Sequence, residues 1–202
     1  MDRRLHPSRS HLLQLAALTL VLLTALMFGL ASSAVMEETA AERTRAYIGN
    51  YLEVLPAVEP DQAGEFQRAL ALNGVLWLAL AAAGLSRWGL PLILAVLIVK
   101  GFTLGYAVSF LLGYQSGRGA LIVLLSLLPH HLLLLPLLLL MSADALVAGG
   151  WFSRNRQGRG LPLQTYANWG RRAALYGAVM IVAALVQGYI CPLVLHLLFL
   201  IR

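Results

Sequence analysis

From Gly119 to Ala148 the chain runs for thirty residues with a single formally charged side chain, Asp144. A stretch of that length and polarity does not belong on the surface of a soluble domain. At ~1.5 Å per residue a helix of this length more than crosses a hydrocarbon core of about 30 Å, and a helix satisfies its own backbone there. Four further apolar segments read the same way: Leu12–Val35, Ala69–Ser86, Trp88–Tyr114 and Arg172–Ile201. None shows strand-like alternation. The expected fold class is all-α, a polytopic bundle of about five transmembrane helices forming one integral membrane domain over residues 1–202. Composition agrees, because 12% of residues are charged where a soluble domain carries about 25%.

Eight of the nine acidic residues precede Gln67. The segment 36–68 holds seven of them against Arg43, Arg45 and Arg68. The leader carries Arg3, Arg4 and Arg9, and the loop 149–171 carries Arg154, Arg156, Arg159 and Arg171, with no acid. Basic residues gather in cytoplasmic loops. An odd number of spans then puts the N-terminus and the basic loop in the cytoplasm, and the acidic loop 36–68 and the C-terminus outside the cell membrane. The net charge of +6 is thus a topology signal and implies no nucleic-acid partner. "ASSAV" after the first segment offers small residues to a signal peptidase. The apolar run before it exceeds the usual signal length of about 7–15 residues, so it is read as a retained span. Ser86–Arg87–Trp88 and "YQSGRG" suit short turns between spans.

The segment "LLSLLPHHLLLLPLLLLMSADAL" sets His130, His131 and Asp144 among leucines, with Pro129 and Pro136 seven residues apart. Catalytic groups can be tested against this sequence one by one. A zinc protease helix needs His-Glu-x-x-His, and no glutamate follows Glu65. An intramembrane aspartyl protease needs two carboxylates sharing a proton, and Asp144 is alone in its span. Ser116 lies in a turn rather than in a G-x-S-x-G elbow. One cysteine, Cys191, excludes an internal disulfide and a cysteine-based zinc site. The expectation is a protein without catalytic residues, metal or cofactor.

Ionisable groups within spans are costly and raise functional hypotheses. Lys100, the sole lysine, sits near the middle of its span at a cost of roughly 2.5–3.5 kcal/mol on insertion scales. Its simplest partners are Asp144 or carbonyls freed by the prolines, and a path through Lys100, His130 and Asp144 would suit a small transporter or channel. The plainer reading is that the prolines break the fourth helix and the histidines bond its exposed carbonyls. Gly101 and Gly105 form a G-x-x-x-G pattern that lets another helix approach closely. In the external loop, Tyr47, Ile48, Tyr51, Leu52 and Leu55 fall at helical spacing among charged residues, an amphipathic helix ending near Pro56. Such a helix lies on membrane lipid or docks a partner.

The run "KGFTLGYAVSFLLGYQSGRGALIVLLSLLPHHLLLLPLLLLMSA" resembles the stage II sporulation protein M family. The matching features are Lys100, Gly105, Gly117 with Gly119, then the Leu-Pro-polar-polar box at Leu128, Pro129, His130 and His131, and Pro136. His131 stands where the family more often carries an amide. "VQGYICPLVLHLL" is similar to the family's last span. The resemblance implies a non-enzymatic membrane scaffold that assembles and localises peptidoglycan-degrading enzymes like stage II sporulation proteins D and P. That work belongs to forespore engulfment during sporulation, or to related envelope remodelling.

The topology is directly testable. Alkaline phosphatase fused after Gln62 is expected to be active and the same fusion after Gly158 inactive. Activity at Gly158 would overturn the five-span reading.

Overall fold

Leucine, alanine and valine dominate the apolar segments, and with no water to bond the backbone each closes into helix. The computed structural model describes residues 9–54, 61–86, 88–114, 120–154 and 163–200. Its α-helices are α1 (Arg9–Ser32), α2 (Glu38–Val54), α3 (Gln62–Ala83), α4 (Gly89–Tyr114), α5 (Leu128–Arg154), α6 (Leu163–Leu185) and α7 (Cys191–Leu200). Two wide π-helical turns complete the set: π1 (Val123–Leu127) leads into α5, and π2 (Val186–Ile190) joins α6 to α7. Five stretches are long and apolar enough to cross a membrane: His11–Ser32, Gln62–Ala83, Gly89–Gly113, Ala120–Gly149 and Ala167–Leu197. The described residues contain no strand. This is an all-helical, multi-pass membrane architecture.

Two span boundaries differ from the hydropathy reading. α3 starts at Gln62 rather than Ala69 because polar residues build its first turns. The Asp61 carboxylate accepts from the Gly64 N–H at 2.9 Å, an N-cap interaction, and Arg68 pairs with Glu65 at 3.0 Å. α6 starts at Leu163 rather than Arg172, since Trp169 is already buried at 6% exposure. α5 also runs on to Arg154. Much of the basic stretch 149–171 is therefore helical, and 155–162 lies outside the described residues. So do Arg87 and the turn 115–119.

Two kinds of close contact set the packing. Gly101 lies against the Leu22 carbonyl, which a Cβ would approach to 2.7 Å, and Gly105 lies against the Leu26 carbonyl more closely still. Gly29 of α1 abuts the Phe102 carbonyl of α4 in return. From Gly101 to Gly105 the contact advances four residues along both helices, so α1 and α4 run parallel. The second contact joins α3 to α6. The Trp77 indole N–H donates to the Ala173 carbonyl at 2.7 Å, and the Trp169 indole donates back to the Ala81 carbonyl at 3.3 Å. Each ring also seats on a glycine of the other side, Trp77 on Gly177 and Trp169 on Gly84, just past the end of α3. This contact advances along one helix as it retreats along the other, so α3 and α6 are antiparallel. Parallel first and third spans with antiparallel second and fifth spans are what an alternating five-span chain requires.

α5 fills the middle of the bundle. Its Leu134, Leu138, Met141, Ala143 and Ala145 are fully buried beside Leu80, Ile93 and Leu97 of α3 and α4. At one end Gly149 backs onto the turn after α3, where a Cβ would stand 3.2 Å from the Ser86 carbonyl.

The glycine seam has a clear test. Gly105→Ala would press a methyl onto the α1 backbone, and is expected to cost about 1–3 kcal/mol as overpacking does. Gly74 faces open space, so Gly74→Ala is expected to be neutral or mildly stabilising. Thermal unfolding in detergent measures both, and equal melting temperatures would contradict the seam.

Candidate functional site

The polar residues of the spans separate into two places. The first grows out of proline. Pro129 has no N–H, and its ring would clash with the carbonyl four residues back. The helix absorbs this by widening: the Leu128 N–H reaches five residues back to the Val123 carbonyl, closing π1. The fifth span repeats the device, with the Cys191 N–H bonding the Val186 carbonyl ahead of Pro192. In both, the proline follows the first π residue by six positions. Pro136 sits inside α5 without interrupting it. The expected break in the fourth helix is thus a widened turn before Pro129, and the helix carries on past Pro136.

The histidines fold back onto that widened turn. His131 Nδ1–H donates to the Leu127 carbonyl at 2.8 Å. A carbonyl only accepts, so Nδ1 of His131 holds a proton. The rings lie 4.0 Å apart between centroids, tilted by 52°, and both side chains are buried. α7 packs against π1, and Cys191 Sγ lies 3.9 Å from His130 Nδ1. α4, which carries Lys100, packs against π1 and α5. The histidine pair therefore lies where α4 and α7 both approach the widened turn.

Asp144 does not join them. Fourteen residues separate it from His130 (144 − 130), roughly 21 Å along the helix. Its carboxylate accepts from the Tyr176 hydroxyl at 2.8 Å and from Arg172 Nη1 at 3.1 Å. His11 Nε2 stands 3.4 Å from the other oxygen. The expected Lys100–Asp144 pairing is replaced by a knot that ties α1, α5 and α6 together at the N-terminal end of the bundle. The Arg172 side chain is 59% exposed, so that ion pair contributes little, about 0–1 kcal/mol. The hydroxyl bond to a charged, mostly buried acceptor contributes more, about 1.5–3 kcal/mol.

α2 lies outside the spans. Its Ala41 is buried, and the Tyr106 hydroxyl of α4 reaches Met36 Sδ just before it at 3.7 Å. Tyr47 projects outward at 74% exposure. Tyr51 lies in the helix but its side chain, like all of Leu55, is outside the described residues. Sequence reasoning missed His11, Arg172 and Tyr176, which hold Asp144, and did not place Cys191 beside His130. The only available sequence signal was the shared six-residue spacing from Val123 to Pro129 and from Val186 to Pro192.

The comparisons with known proteins bear on this architecture in one way. Neither a curated protein nor a solved structure matches the chain. The family model of stage II sporulation protein M matches residues 17–192, a stretch that takes in the glycine seam, both π turns, the histidine pair and the Asp144 carboxylate. The chain belongs to the stage II sporulation protein M family.

Proposed function

We propose that this protein is a non-enzymatic scaffold of the cell membrane. It assembles and localises peptidoglycan-degrading enzymes similar to stage II sporulation proteins D and P, during engulfment or related envelope remodelling. Family membership supports a role of this kind, and the sequence carries none of the catalytic constellations tested above. The observation that carries the reading is α2: a helix outside the spans, fastened at Ala41, that leaves Tyr47 projecting into the surroundings. By the charge rule it lies on the outer face, where wall enzymes work. Exposed aromatics serve as anchors in interfaces. A transporter path through Lys100, His130 and Asp144 would have to bridge the distance from His130 to Asp144, which is bonded to Tyr176 and Arg172.

The docking test replaces Tyr47, Tyr51 and Leu55 together with Ser. Because the three lie outside the spans, the protein should still insert, and wall enzymes should no longer co-purify at matched membrane levels. Undiminished co-purification would remove α2 as the docking surface.

The histidines separate scaffold from transport. His130→Gln keeps a side-chain donor for the backbone, so function should persist. His130→Leu should lower protein level or assembly. Complete loss of function in the glutamine variant at normal abundance would favour a titrating role and count against the scaffold.

A further inference from the structure

Lys100 is a charged side chain in the middle of a span, and among the described residues its ammonium has no ion pair and no hydrogen bond. It lies eleven residues after Gly89 and thirteen before Gly113, roughly 16 and 20 Å along the helix from the two ends. The elements that α4 packs against on this side, π1 and α5, carry His130 and His131 but no acid near this depth. A cation in hydrocarbon pairs with an anion or faces a polar cavity.

Among the described residues no acid of this chain pairs with Lys100. Eight of its nine acids precede Gln67. Of these, Glu65 is paired with Arg68 in the first turns of α3. The ninth, Asp144, is held by Tyr176, Arg172 and His11 at the N-terminal end of the bundle. A second copy brings the same set at the same depths, so self-association leaves the lysine unmatched. Lipid phosphates sit beyond the hydrocarbon edge, about 15 Å from mid-depth.

The lysine is also approachable from the side. On α4 it lies between the buried Leu97 and Leu104 and the exposed Val99 and Thr103, and is itself only partly covered. It therefore sits at the margin of the buried face, next to lipid. We propose that Lys100 is a lateral docking point for a transmembrane helix of a partner protein bearing an Asp or Glu side chain near mid-depth. The inference rests on the scaffold reading only in requiring a membrane-spanning partner. It assigns a second contact within the bilayer, separate from α2.

The test uses the full-length protein in neutral-lipid nanodiscs and a fluorescent synthetic polyleucine span with one central Asp, read by energy transfer. The Asp probe should associate roughly tenfold more tightly than the same span with Leu at that position, a ratio equivalent to one interhelical hydrogen bond in model peptides. Lys100→Met should abolish the preference while leaving the melting temperature intact or raised. Lys100→Asp should bind a probe with central Lys in place of the Asp probe. Equal association of Asp and Leu probes with the unmodified protein would overturn the proposal, as would a preference that survives Lys100→Met. A preference that disappears when anionic lipid is added would assign the lysine to lipid and also overturn it. Co-purification of wall enzymes that depends on α2 alone, together with failure of the probe, would sink this inference and leave the scaffold reading standing.

Discussion

Hydrocarbon offers no hydrogen bonds, so a polar atom that enters a span is costly unless it meets a partner inside the protein. Most of the geometry follows from that constraint. Trp77 and Trp169 exchange indole donors with the backbone of the opposing helix. His131 bonds a carbonyl of its own widened turn, and Asp144 gathers a hydroxyl, a guanidinium and an imidazole from two other helices. A neutral bond among these contributes only about 0.5–1.5 kcal/mol net, while an orphaned buried group costs about 1–3 kcal/mol. The value of these bonds is therefore mainly in what they forbid. A slip of one helix past its neighbour would orphan several donors at once, and leucines alone would not resist it.

That distinction explains what was legible in the sequence. Long uncharged runs announce spans wherever they occur, so the all-helical class and the five spans could be read from hydropathy. Boundaries were less accessible because the start of α3 depends on a cap at Asp61 and that of α6 on the burial of Trp169. Neither is a matter of apolarity. The G-x-x-x-G pattern at Gly101 and Gly105 pointed to a close contact but could not name α1 as the neighbour. The partners of Asp144 were invisible for the same reason. They lie on other helices, and only the register between helices decides that Arg172 and Tyr176, rather than Lys100, come within reach.

The prolines illustrate a different limit. In water a proline inside a helix costs about 3 kcal/mol and usually ends it, so two prolines in one span suggest a break. Within a packed span, the neighbours and a local π adjustment satisfy the freed groups instead. Both π turns lie in the half of the bundle away from the N-terminus, and they meet through α7 and the His130–Cys191 contact. π2 also presents Gly188 and Tyr189 to Phe66 in the early turns of α3. The bundle is thus built unevenly along its length. The N-terminal end is fixed by the Asp144 knot and the tryptophan exchange, and the other half carries widened turns, whose hydrogen bonding departs from the regular α pattern.

This unevenness bears on how a scaffold in this membrane would choose its partners. α2 offers a contact in water, where an exposed tyrosine is common on many proteins and selects weakly by itself. Lys100 offers a contact in hydrocarbon, where a single carboxylate is rare and its pairing is not screened by water. A partner that engages α2 while carrying no span has only the first contact. One that carries a span with an acidic side chain at the right depth makes the second contact intramolecularly, at an effective concentration in the millimolar range when the tether spans the distance. Two modest contacts in different solvents then discriminate better than either alone, because the connecting segment must match the separation between α2 and the middle of α4. Under the proposed function, a wall enzyme anchored by a transmembrane helix with such a side chain would make both contacts, and one without a span only the first.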